Sequence, residues 1–103
     1  MLSVWVPVYA TEVPEGEIWR VLGRLAQSHG GTLEISGRVG VVKTGGASRQ
    51  RARVTVGEAS NGQVLVWIEP GRLGFGDSYL CAGIAHELGG TKPPRDSIRS
   101  RPS

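Results

Sequence analysis

Two runs of β-branched residues flank the dipeptide Asn61-Gly62: "RARVTV" at 51–56 and "QVLVWIE" at 63–69. Asn-Gly between such runs is the strongest short-range signal for a β-hairpin, so these segments are predicted to pair as antiparallel strands. A two-residue loop would place Val56 opposite Trp67, which leaves the apolar residues of the two strands on different faces.

That conflict has two solutions. Either both faces of the sheet are partly covered, or a bulge near Gly57 shifts the pairing by one residue. We favour the bulge because it brings the aliphatic side chains onto one face and turns Arg51 and Arg53 away from the core. The residues that it gathers are Val54, Val56, Val64, Val66 and Ile68.

The rest of the chain supplies two more strands and two helices. Apolar residues alternate from Leu2 to Val8 and again in 32–43, and Pro7 favours an edge position or a bulge for the first strand. Segments 13–31 and 77–90 carry helix-start residues, an apolar stripe and a Gly-Gly stop. The predicted order is β-α-β-β-β-α, an α+β fold whose mainly antiparallel sheet carries two helices packed on one face.

Length and composition indicate one domain. The chain has 103 residues, 16 of them glycine, which favours short elements and tight turns. We expect residues 1–91 to form a single α+β domain and residues 92–103, rich in proline, serine and arginine, to form a flexible basic tail.

The sequence predicts a cytoplasmic protein that does not enter a membrane. No apolar run approaches the roughly 18 residues of a membrane span. The N-terminus has no basic residue before its apolar run and Pro7 interrupts that run, so it is a poor signal peptide. A single cysteine, Cys81, excludes an internal disulfide.

Positive charge is concentrated in the second and third predicted strands and their connection. Residues 38–53 hold five basic residues and no acidic one. Arginine binds phosphate through two oxygens at once, so this stretch and the basic tail predict a non-catalytic module that contacts a nucleic-acid backbone, RNA or DNA. The alternatives are a charged edge that resists aggregation and a surface for an acidic protein. The residues proposed for nucleic-acid binding are Arg38, Lys43, Arg49, Arg51 and Arg53.

Trp5 and Trp67 suggest a second function. Both lie on predicted strands whose apolar neighbours face the other way, so exposure of both would create a patch for protein interaction. In this reading the chain is an inhibitor, an immunity-like partner or a homodimer that uses an exposed sheet face or edge. A third hypothesis, a small-molecule binder or enzyme, needs a pocket in the sheet concavity lined by Glu34, Tyr9 or Trp67.

Motifs for catalysis, metal or cofactor binding are incomplete. The segment "AHELGG" begins like the zinc motif H-E-x-x-H, but glycine occupies the place of the second histidine. The loop 70–78 has neither the dinucleotide-binding glycine pattern nor a P-loop lysine. Cys81 lies in an apolar helix, where a thiol is usually inert. We therefore predict no catalytic residue, metal or cofactor.

Overall fold

Five antiparallel strands form one sheet, and two helices pack on one of its faces, in the part of the chain that the structure describes. The structure is a computed structural model, and it describes residues 7–45, 49–71 and 77–98. The α+β fold and the antiparallel sheet are confirmed. The elements in chain order are β1 (Val8–Thr11), α1 (Glu15–Ser28), β2 (Thr32–Ser36), β3 (Val39–Lys43), β4 (Arg51–Glu58), β5 (Val64–Pro70), α2 (Asp77–Glu87) and a turn of 3-10 helix (Arg95–Ser97).

The strands lie in the order β1-β5-β4-β3-β2, so the chain crosses from one sheet edge to the other through α1 and then returns as a meander. β1 is an edge strand, as Pro7 predicts. The predicted strand residues Leu2, Val4 and Val6 lie outside the described residues. After α2, Thr91 pairs with Ala10 through two hydrogen bonds of 2.8 and 2.9 Å, which covers part of this edge.

The predicted strand at 32–43 is two strands. β2 and β3 form a hairpin in which Ser36 pairs with Val39 across the two residues Gly37 and Arg38. Gly37 has a φ of 61°, a conformation that costs glycine little and that a two-residue hairpin loop requires. Gly37 therefore reverses the chain within the predicted strand, and the sheet gains one strand.

The β4–β5 pairing has the favoured register, but the shift arises in the loop. Val56 pairs with Val66, one residue away from the register of a two-residue loop. Ala59 N–H donates to the Gln63 carbonyl at 2.8 Å, which leaves three residues in the loop, and the last of them, Gly62, has a φ of 88°. A three-residue loop that ends in a left-handed glycine supplies the extra residue, so no bulge at Gly57 is needed.

The main core lies between the sheet and the helices. Four-residue spacing in each helix brings its aliphatic residues onto the face that contacts the sheet. The buried cluster consists of Ile18, Leu22, Ala26, Val42, Ala52, Val54, Val56, Val66, Ile68, Leu80, Ile84 and Leu88. Arg51 and Arg53 lie on the opposite face of β4, as predicted, because they alternate with Ala52 and Val54.

The opposite face of the sheet is also partly covered. A second apolar cluster there contains Ala10, Ala59, Leu65 and Trp67. Trp67 is only 6% exposed, so the expectation that it is an exposed interaction residue is wrong. Both explanations considered for the hairpin therefore apply: the register shifts by one residue, and both faces of the sheet are partly buried.

Residues 92–98 are the first part of the segment predicted as a tail, and Ser97 among them contacts the residue that follows Ala59 of this second cluster. Ser97 is buried, and its carbonyl accepts a hydrogen bond of 2.9 Å from Ser60 N–H in the β4–β5 loop. Residues 99–103 lie outside the described part of the chain. Among the described residues, neither helix has the length and apolar character needed to cross a bilayer.

Candidate nucleic-acid interface

The end of β3 and the start of β4 bring basic residues together at one end of the sheet. Lys43 pairs with Arg51 across these strands. The ladder continues beyond them, because Thr44 N–H donates to the Gln50 carbonyl and Gln50 N–H donates to the Thr44 hydroxyl, both at 2.9 Å. Arg49 is exposed next to this pair. The sheet thus places three cations of the predicted set side by side.

Arg53 lies on the same face, one step further along β4. It is opposite Val41 on one neighbouring strand and Glu69 on the other. We call the group Lys43, Arg49, Arg51 and Arg53 the basic end of the sheet.

A cavity of about 250 Å³ opens at the basic end. It is lined by Lys43, Thr44, Arg49, Gln50, Arg51 and Asp77. Three of the six are cations, Thr44 and Gln50 are neutral polar residues, and Asp77 is an anion, so three positive charges less one leave the lining with a formal charge of +2. Such a lining can hold an oxyanion through charge-assisted hydrogen bonds.

Asp77 fixes the main chain of Arg51. Its Oδ1 atom accepts a hydrogen bond of 2.9 Å from Arg51 N–H, and Gly71 N–H donates to the Arg51 carbonyl at 2.8 Å. The methylene groups of Arg51 lie against Gly71, where an added Cβ would come within 2.5 Å of Arg51 Cγ. Arg51 is therefore held half-buried along the sheet.

Carboxylates partly neutralise the basic end. Lys43 Nζ lies 3.3 Å from Glu34 Oε1, and Arg53 Nε lies 3.9 Å from Glu69 Oε1. These contacts are open to solvent, and ion pairs at the surface contribute only about 0–1 kcal/mol. A phosphate that approaches Lys43 or Arg53 therefore displaces a weak interaction.

Arg38 does not join the basic end. It lies in the β2–β3 turn at the opposite end of β3, five residues from Lys43, or roughly 17 Å along an extended strand. Its Nε atom is 3.6 Å from Glu15 Oε1 at the start of α1. The structure thus separates Arg38 from the other four predicted residues.

The far end of the strands carries acidic residues. Glu12 follows β1, Glu58 ends β4 and Glu87 ends α2, and all three are exposed. Glu12 and Glu87 border an open cleft of about 620 Å³. We call Glu12, Glu58 and Glu87 the acidic end; Arg38, in the β2–β3 turn, lies at the same end of the strands and is paired there with Glu15.

Other candidate sites are not assembled in the described residues. Burial, with Asp77 and Glu69 nearby, raises the pKa of the Cys81 thiol to about 11, so the thiol is protonated at neutral pH. No three metal-ligating side chains meet within residues 7–45, 49–71 and 77–98. Tyr9 lies on the helix face and Trp67 on the opposite one, so they do not line a common pocket. Trp5 lies outside the described residues.

Tyr79 is a functional candidate that the sequence analysis missed. It lies in the first turn of α2 and is 79% exposed. A sequence signal exists, because the four-residue apolar spacing of α2 begins at Leu80 and Tyr79 lies one residue before it.

Comparisons of the chain with protein-family models, curated proteins and solved structures found no match.

Proposed function

We propose that the chain is a small cytoplasmic, non-catalytic module that contacts the phosphate backbone of a nucleic acid through the basic end, without a cofactor. The observation that carries this proposal is the 250 Å³ cavity that Lys43, Arg49 and Arg51 line. Lys43 and Arg51 lie on paired strands, and Asp77 at the start of α2 accepts a hydrogen bond from Arg51 N–H, so these two residues need little ordering when an anion binds.

Charge polarity supports this assignment and orients the contact. The acidic end repels a polyanion, whereas the basic end attracts it, so the module approaches a nucleic acid with the β3–β4 end first. Because phosphates carry no sequence information, recognition through this end alone is independent of sequence.

The test is fluorescence anisotropy with labelled RNA and DNA at 50 and 200 mM salt. Replacing Lys43, Arg49 and Arg51 together by glutamine should abolish most binding. Contacts to three phosphates predict a roughly 20- to 40-fold loss of wild-type affinity over this fourfold change in salt.

A matched control removes three charges elsewhere. Arg20 and Arg24 are exposed on α1, and Arg38 lies in the distant turn. Replacing these three by glutamine changes net charge equally, and binding should remain close to wild type. Equal losses in both triple variants, or wild-type binding that salt does not alter, would refute the assignment to the basic end.

A protein-binding role is the second candidate, and one observation favours it. β2 is an edge strand, and its Ile35 is 50% exposed. An exposed edge can pair with a strand of another chain, including a second copy. A stable dimer in light scattering without nucleic acid, together with no nucleic-acid binding, would favour this role over the first.

A further inference from the structure

Two neighbouring cavities share one wall at the basic end. The first is the cation-lined cavity already described. The second, of about 380 Å³, lies between the end of α1 and the start of α2, and Tyr79, His29 and Leu80 line it. Thr44 and Gln50 line both cavities, so this pair of residues forms a wall common to the two.

Side chains with rings line the second cavity, whereas cations line the first. Tyr79 is 79% exposed, and His29 is exposed at the end of α1. Leu25 and Leu80 form apolar wall behind them. A planar, partly apolar group can stack on Tyr79 and remain in contact with the shared polar wall of Thr44 and Gln50.

The wall itself is held in place from both sides. Gly45 N–H donates to the His29 carbonyl at 3.1 Å, which ties the β3–β4 connection to the end of α1. The reciprocal hydrogen bonds between Thr44 and Gln50 join its two strands. The separation of the cation-lined cavity from the ring-lined one is therefore built into the fold.

We infer that the ligand is a single strand, with one phosphate in the cation-lined cavity and an adjacent base stacked on Tyr79. This inference rests on the proposed function and specifies its substrate. Bases of a duplex are stacked on one another and are not available to an aromatic side chain, whereas those of a single strand are. The pairing of cations with an exposed ring is the arrangement by which proteins bind single strands without reading sequence.

The experiment compares three anionic probes. They are a single-stranded oligothymidylate of about ten nucleotides, a duplex of equal length, and inorganic polyphosphate, which has a charged backbone and no bases. Tyr79→Ala should weaken single-strand binding by about 5- to 150-fold, the range measured for loss of one stacked base. Binding of polyphosphate and duplex should not change, because neither offers a free base.

Tyr79→Phe and Ile35→Ala are the matched controls. Tyr79→Phe keeps the ring and should keep single-strand affinity, whereas loss of the phenol would matter if Tyr79 acted through a hydrogen bond. Ile35→Ala removes another exposed apolar side chain, on β2, and should have no effect. Since Tyr79 and Ile35 are exposed, the variants at these two positions should fold as the wild type does.

The outcomes distinguish failure of the stacking inference from failure of the proposed function. If the wild type and Tyr79→Ala bind all three probes with equal affinity, the stacking inference is overturned, but the proposed phosphate contact is still supported. A uniform weakening on all three probes overturns it as well, because stacking acts only on free bases. If the wild type binds none of the probes, the proposed function fails and the inference fails with it.

Discussion

The basic and acidic ends of the sheet are built alike and charged oppositely. At the basic end, Asp77 at the start of α2 accepts a hydrogen bond from Arg51 N–H of β4. At the acidic end, the Thr11 hydroxyl donates at 2.6 Å to the Leu88 carbonyl just beyond α2. One side-chain hydrogen bond thus ties each end of α2 to the sheet. The difference in charge is therefore carried by exposed and half-buried side chains on similar supports.

The largest expected effect is on stability at the basic end. Asp77 is 4% exposed, and its carboxylate also complements the positive end of the α2 dipole. Asp77→Ala leaves the half-buried Arg51 N–H without this acceptor and removes a buried carboxylate from the start of α2, and it should lower the free energy of unfolding by about 2–3 kcal/mol. Denaturant titration measures this loss.

Asp77→Asn is the control for that change. The amide oxygen still accepts from Arg51 N–H, so the loss should be about half as large. If the denaturant midpoint of Asp77→Ala equals that of the wild type, Asp77 does not hold β4 to α2. The two ends of α2 would then not be tied to the sheet in the same way.

The next effect concerns the acidic end. Thr11→Val replaces the hydroxyl by a methyl group of similar size and removes the bond to Leu88, together with the 3.1 Å bond from Val13 N–H to the same hydroxyl. We expect a loss of about 1–2 kcal/mol in thermal or denaturant unfolding.

Thr32→Val is the matched substitution on an exposed strand. Thr32 lies exposed on β2, so its change should stay within about 0.5 kcal/mol. Equal losses at Thr11 and Thr32 would mean that the Leu88 contact does not stabilise the acidic end.

Sequence patterns predicted the fold because each element carries a local signal. Gly-Gly marks both helix ends, and alternation marks the strands. The alternation over 32–43 predicts a single strand, because it continues on both sides of Gly37. The hairpin register was right for a different reason, since Gly62 forms a three-residue loop and no bulge forms at Gly57.

The candidate site was only partly predictable, because it depends on which strand ends meet. Charge identified Lys43, Arg49, Arg51 and Arg53, but it also selected Arg38, which a strand length separates from them. The burial of Trp67 depends on the second apolar cluster, which needs residues from β1, β5 and the β4–β5 loop. These are long-range contacts that no local pattern encodes.

The smallest expected effect tests whether carboxylates limit the affinity of the basic end. Glu34→Gln removes the charge 3.3 Å from Lys43 Nζ and keeps an oxygen there. The free energy of unfolding should change by less than about 0.5 kcal/mol, because the pair is exposed. Affinity for a single strand at 50 mM salt should rise about two- to fivefold and approach the wild-type value at high salt, where charges are screened.

Glu12→Gln makes the same change in net charge at the acidic end and decides how local the effect is. β4 alone spans eight residues, or about 26 Å, which exceeds the screening length of roughly 10 Å at 0.1 M salt. Glu12→Gln should therefore leave affinity almost unchanged while Glu34→Gln raises it. Were both variants to bind more tightly by the same factor, the ligand would respond to the total charge of the molecule, and the two ends would not differ in function.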